Sequence, residues 1–436
     1  MSNHGEPRHD TRLWHPFADM GAVRRAELVI DRGEDVWVWD TQGRQYFDAT
    51  ASLWYANVGH GRREIAAAVA AQLERLDAYS TFGDFANEPA LRLAERLAAL
   101  APVDDARVFL ASGGGDGIDT AVKLARRYWS ELGQPERTHI ISRAGGYHGT
   151  HGYGTALGGI DANRAGWGSL DKDVSVVAHD SLQELTGALE ELGPERVAAV
   201  FVEPVIGAGG VYPPPEGYIE GVAALCRQSG VLLVIDAVIC GFGRLGSWFG
   251  VERWGIEPDL VVFAKGVTSG YQPLGGVVVS GRVAEPFWSV PGSPVLRHGP
   301  TYAGHPACCA AALVNLDILE QEGLLARGRE LEGDLFAALS ALADEPSVAE
   351  VRGGVGLMAA VGLDPELLAA DGTAVARVAM AARQRGVLVR PLGSSLAVSP
   401  PLTATPEHFE LITDALAWAL DELARSSALG AVGAGR

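Results

Sequence analysis

Lys265 closes an apolar run and stands directly before a glycine, in DLVVFAKGVTSGYQPLGG. The chain has only two other lysines. Lys123 follows a helical pattern beside Arg126 and Arg127, and Lys172 sits in the polar loop DKD. Those two read as solvated, whereas the surroundings of Lys265 read as withdrawn from water. A low-dielectric setting disfavours the ammonium form and leaves an amine able to form an imine with an aldehyde. Earlier in the chain VLLVID delivers Asp236, AAVFVEP delivers Glu203, and VFLAS leads into the glycine-rich SGGGDGIDTA. A carboxylate facing a pyridine nitrogen keeps that ring protonated and electron-accepting. The backbone N–H groups of Gly114, Gly115 and Asp116, opening a helix, suit a phosphate dianion. Val238 offers an apolar contact to one ring face, and Tyr147 of GGYHG a stacking surface for the other. Amine, carboxylate and phosphate cradle together suit pyridoxal phosphate.

Each of these residues also has a structural reading. Glycine loops often only turn tightly, a strand-end aspartate caps, and Tyr147 and His148 serve a core or a turn. It is their co-occurrence at strand ends that points to chemistry, because in a parallel sheet the reactive crevice lies beyond the carboxyl ends of the strands.

The elements that must position these residues follow from the pattern. ARVFLAS, THIISR, VSVVAH, VAAVFVEP, VLLVID, DLVVFAK and GGVVVS are short apolar strands, most of them separated by helical stretches such as GIDTAVKLARRYWSEL and GYIEGVAALCRQSG. Strands apolar throughout, alternating with helices, predict an α/β fold with a mainly parallel sheet covered on both faces. Before it, DVWVWD and RQYFDA read as strands. After the alanine-rich helix through Cys308 and Leu319 the pattern becomes α+β. The expected division is 1–65 as an N-terminal segment packing with a small domain, 66–320 as a large domain, and 321–436 as a C-terminal small domain.

With 35 basic against 54 acidic residues, the net charge of −19 argues against nucleic-acid binding. The four cysteines (Cys226, Cys240, Cys308 and Cys309) have no metal-ligand spacing, and no metal is expected. The opening MSNHGEPRHD lacks the apolar core of a signal peptide, and no run of about 18 apolar residues occurs. A reduced, cytoplasmic protein without a membrane span is the expectation. A nucleotide-dependent oxidoreductase is disfavoured, since SGGGDG lacks dinucleotide spacing and no acidic strand end follows about 20 residues on.

Long stretches resemble the class III, pyridoxal-phosphate-dependent aminotransferases of fold type I, especially the ω-amine:pyruvate branch. They include LWHPF, DATASLWYANVGHGR, TFGDFANEPA, SGGGDGIDTAVKLA, GGYHGTHGYGTALGG, EPVIGAGGVYPPPEGY, IDAVICGFGRLG, HGPTYAGHPACCAAAL and VLVRPLGSSLAVSPPL. The resemblance implies that Lys265 carries the cofactor and moves the reacting proton, and that Asp236 pairs with the pyridine nitrogen. Tyr147 and Val238 would sandwich the ring. Gly114, Gly115 and Asp116 would hold the phosphate, with His148 and Glu203 in the cofactor-binding set. Thr301 would reach the phosphate from a second subunit of a homodimer, or of a tetramer of paired dimers. Arg390 would grip a substrate carboxylate, and Phe17, Trp54 and the partner's Phe82 would wall the substrate pocket.

Three departures stand out. The phosphate loop usually reads Ser-Gly-Ser-Glu and here runs Gly113-Gly114-Gly115-Asp116. The strand-end Asp-Glu-Val is Asp236-Ala237-Val238. Ala208 replaces the glutamate that parks the carboxylate arginine in the 4-aminobutyrate and ornithine branches. The implied activity is transfer of an amino group from an amine or ω-amino acid to a keto acid such as pyruvate. The alternatives are a diaminopelargonate-type aminotransferase, disfavoured by Phe17 in place of a tyrosine, and a cofactor-binding relative with little activity.

Overall fold

In the computed structural model, which describes residues 11–289 and 291–433, three sheets organise the chain. The opening segment 1–10 and the final three residues lie outside the described residues. The chain begins with three short antiparallel strands, β1 (Ile30–Glu34), β2 (Trp37–Asp40) and β3 (Gln45–Asp48). The large sheet follows: β4 (Arg107–Ala111), β5 (His139–Arg143), β6 (Val174–Val177), β7 (Val197–Val202), β8 (Leu232–Asp236), β9 (Leu260–Phe263) and β10 (Gly275–Val279). The last part of the chain supplies β11 (Val348–Arg352), β12 (Ala359–Leu363), β13 (Val387–Leu388), β14 (Arg390–Leu392) and β15 (Ser395–Val398).

The large sheet has the order β4-β10-β9-β8-β7-β5-β6. Its neighbours run parallel except at β10, which is antiparallel to both β4 and β9. Every residue of β7, β8, β9 and β10 is buried. That is why these strands read as unbroken apolar runs rather than alternating ones: helices cover both faces. The helix Gly114–Glu131 lies on the sheet so closely that a Cβ at Gly117 would meet Val262 Cγ1 at 2.7 Å and the Gly276 carbonyl oxygen at 3.0 Å. Glycine is required there by close approach.

A second sheet, β1-β2-β3-β13, joins the two ends of the chain. Val387 and Leu388 pair in parallel with Phe47 and Asp48. The third sheet, β11-β12-β15-β14, carries Arg390 at the start of its last strand. Among the described residues no helix is long and apolar enough to cross a membrane.

Candidate active site

Asp236, Glu203 and Lys265 sit at or just past the ends of strands. Asp236 ends β8, and Lys265 follows β9 after one alanine. Val262 of β9 pairs with Asp236 in register, so the two strand ends are adjacent. Lys265 opens a single 3₁₀ turn, Lys265–Val267, with φ of 49°. A left-handed non-glycine residue costs about 1–3 kcal/mol and persists only where its surroundings over-determine it. Here they do. Asn315 Nδ2 donates to the carbonyls of Gly266 (2.8 Å) and Val267 (3.0 Å), and a Cβ at Gly266 would meet Asn57 Nδ2 at 2.6 Å. The glycine after the lysine is thus a packing requirement that fixes where the amine points.

Lys265 lines a cavity of about 260 Å³ with Gly114, Gly115, Tyr147, His148, Glu203, Asp236 and Val238. Burial lowers the Lys265 pKa, against the pull of the Asp236 and Glu203 charges. Among the described residues its amine makes no hydrogen bond or ion pair, so the nitrogen is left for a ligand.

Asp236 is 4 % exposed and held on both oxygens. His148 Nδ1 donates to Oδ2 at 2.8 Å, and the Val238 N–H donates to Oδ1 at 3.0 Å. Burial alone would lower the His148 pKa. The hydrogen bond to Asp236 and the charges of Asp236 and Glu203 outweigh burial and raise it. The carboxylate keeps acceptor capacity for a further donor.

Glu203 accepts the N–H groups of Tyr147 and Gly207, each at 3.0 Å, and so pins the loop that carries Tyr147. Burial raises its pKa. Tyr147, its own pKa raised by burial, meets Phe17 edge-to-face with ring centroids 6.3 Å apart. At the phosphate end, Asp116 turns away from the cavity: its Oδ2 accepts the Ser112 N–H at 3.1 Å.

Arg390 lies outside the cavity lining, yet its charge acts on both Tyr147 and Lys265. Its Nε is buried without a hydrogen-bond partner, and burial lowers its pKa.

Three expected residues stand elsewhere in the single chain. Trp54 is 3 % exposed and packs into a core cluster with Val205, Ile239 and Met358, while Leu53 lines the cavity. The backbone explains the exchange. Ala51, Ser52 and Trp54 all have positive φ, so the turn is kinked and the tryptophan faces inward. Phe82 and Thr301 line a different hollow of about 550 Å³, shared with Tyr79 and Tyr302. Ala208, in the position of the parking glutamate, packs against the cluster that holds Trp54. Ala237 is fully buried, its N–H donating to Val262 O at 2.9 Å.

Residues the sequence reading passed over also line the cavity: Leu53, Gly149, Thr150, His151, Ile239 and Ala264. The nearest signal was the second histidine in GYHGTHG, three residues after His148.

These residues fit pyridoxal phosphate: a desolvated amine without a partner, a buried carboxylate with acceptor capacity left, and glycines at a helix N-terminus, in one cavity of suitable size. The comparisons agree. The aminotransferase class-III family matches residues 20–420. A β-alanine–pyruvate aminotransferase of Pseudomonas aeruginosa is 36 % identical, with 94 % of this chain and 96 % of that protein covered. An (S)-enantioselective ω-transaminase from Thermomicrobium roseum is 40 % identical with a TM-score of 0.89, covering 94 % of this chain and 96 % of the other. An amine transaminase from an uncultivated Pseudomonas species, solved with pyridoxal phosphate bound, is 37 % identical with a TM-score of 0.90, over 95 % and 99 % of the two chains. The chain belongs to the class III aminotransferases, enzymes of fold type I that transaminate with pyridoxal phosphate.

Proposed function

We propose that this enzyme takes the amino group of an apolar amine or an ω-amino acid and passes it to pyruvate or a similar short 2-keto acid, in two half-reactions at one site. The observation that carries the choice of acceptor is Arg390: a half-buried arginine whose Nε is buried and unpartnered, close enough to influence Lys265. A buried donor without a partner is costly unless a ligand completes it, and a carboxylate does so in bidentate fashion. With Ala208 in place of a glutamate, no side chain at that position parks the arginine between half-reactions. That supports a short keto acid over 2-oxoglutarate. The relatives named for pyruvate point the same way.

When bound, pyridoxal phosphate supplies an aldehyde that captures amine nitrogen and a ring that draws electrons from the adjoining carbon. The chain does the rest. Lys265, its pKa lowered by burial, serves as nucleophile and as the base that lifts the proton from the substrate carbon and returns it. Asp236, oriented by His148, holds a proton on the ring nitrogen. Tyr147 and Val238 confine the ring. Phe17, standing over Tyr147, narrows the donor side to flat or apolar groups.

The reading extends to a homodimer. Phe82, Tyr79 and Tyr302 are large apolar side chains left exposed around Thr301. We place the partner's site against this surface, so that Phe82 and Thr301 act across the interface. The division 1–65, 66–320 and 321–436 and a cytoplasmic setting belong to the same proposal. The four cysteines are all free and buried, in keeping with a reducing compartment.

A panel of amino donors with pyruvate, read as alanine formed, tests the assignment. Turnover with ω-amino acids or arylalkylamines is expected. Turnover with 2-oxoglutarate or S-adenosylmethionine and none with pyruvate overturns it in favour of another branch. A chain that binds the cofactor and turns over no pair at all favours the inactive relative.

A further inference from the structure

The phosphate end of the cavity differs from what the family loop leads one to expect. Gly115 stands where a serine hydroxyl is usual, and nothing on that loop replaces it. Asp116, the next side chain, is turned back onto Ser112. The space a side chain at 115 would enter is closely bordered by His151. An ideal Cβ on Gly115 would lie 3.3 Å from His151 Nδ1 and Cε1 and 3.4 Å from Cδ2. The His151 ring therefore sits flush against Gly115 on the cavity wall, and its side chain is 49 % exposed. Its Nδ1 lies 3.5 Å from Asp116 Oδ1, a second oxygen of the carboxylate that braces the loop. A serine at 115 would crowd His151, and the imidazole would have to give by a few tenths of an ångström.

We propose that His151 replaces the missing serine as a donor to the cofactor phosphate. The Gly115–His151 pair is then an exchanged version of the usual loop, in which the side-chain donor comes from the loop after Tyr147 rather than from the helix start. The ring presents one nitrogen toward Asp116 and its other nitrogen remains to meet a phosphate oxygen. A carboxylate on one side of an imidazole and a phosphate on the other is a favourable setting for a charge-assisted donor. His151 positions the cofactor and takes no part in proton transfer at the substrate carbon.

The inference rests on pyridoxal phosphate being the cofactor, and the test separates the two. The full-length enzyme is stripped of cofactor and titrated with pyridoxal phosphate and with pyridoxal, which has the same ring and aldehyde but no phosphate. Binding is read by absorbance and by quenching of tryptophan fluorescence. His151→Ala is expected to weaken pyridoxal phosphate about tenfold or more and to leave pyridoxal unchanged, the loss of one charge-assisted contact. Gly115→Ser in the His151→Ala background is expected to recover most of the loss. An equal loss of both ligands in His151→Ala means a structural role and overturns the proposal. So does unchanged affinity for pyridoxal phosphate. Failure of the unaltered enzyme to bind either ligand overturns the cofactor assignment instead.

Discussion

The two ends of the candidate active site are built to different standards of completeness. At the deep end, Lys265, Asp236, His148 and Glu203 are settled within one chain. Asp236 has a donor on each oxygen, Glu203 holds two backbone N–H groups, and the lysine turn is pinned by Asn315. At the outer surface, Phe82 and Thr301 stand apart in their own hollow, surrounded by exposed aromatic side chains. One region needs only the cofactor to be finished, and the other, on the proposed reading, is completed by a second copy of the chain. The contrast separates chemistry, which requires groups fixed within fractions of an ångström, from substrate selection and assembly, which a partner can supply.

The sharpest way to break that contrast is at Lys265. Lys265→Ala is expected to lower turnover about 10⁴-fold while far-UV circular dichroism stays unchanged. Appreciable residual transamination would mean that the deep end is not where the chemistry lies. Arg390→Leu is next in size. The keto-acid half-reaction should lose about 10- to 100-fold in kcat/KM, the value of one charge-assisted contact, while the half-reaction with an arylalkylamine changes little. Equal losses in both half-reactions, measured by stopped-flow absorbance, would tie Arg390 to the scaffold instead.

At the outer surface, Phe82→Asp should weaken self-association by about 2 kcal/mol, roughly 30-fold. Sedimentation at falling protein concentration reads it. A variant still dimeric at nanomolar concentration would move the interface elsewhere.

The smallest effect is a pH dependence at the deep end. The folded pKa of His148 is raised above its unfolded value of about 6.5. Its pairing with Asp236 therefore contributes stability that is fully present below about pH 6.5 and is lost as pH rises through the folded value. The melting temperature of the cofactor-free protein minus that of His148→Asn should be largest below that pH and shrink above it, by on the order of 1 °C. A difference that grows with pH contradicts the pairing.

Much of the deep end was legible in the sequence because its signals are local and redundant. Unbroken apolar strands ending in Asp236 and just short of Lys265 announce a covered parallel sheet and its reactive edge. The glycine after Lys265 was visible, but its reason was not, since Asn57 and Asn315 lie far away along the chain. The inward direction of Trp54 could not be read from the sequence, because it depends on positive φ at Ala51, Ser52 and Trp54 itself, none of them a glycine. His151 went unread for a related reason. Its importance comes from a vacancy at Gly115 on another element, and no spacing along one strand or helix reveals a complementarity between two loops. The reversed direction of β10 also escaped the apolar pattern, which is the same for a buried strand whichever way it runs.

The scarcity of lysine gives Lys265 one more consequence. A protease that cuts only after lysine divides the chain into four large pieces, ending at Lys123, Lys172, Lys265 and Arg436. If borohydride first fixes the cofactor on Lys265, that bond resists cleavage, and residues 173–436 emerge as a single heavier fragment. One mass spectrum then reports both the address of the covalent attachment and the fraction of chains that carry it.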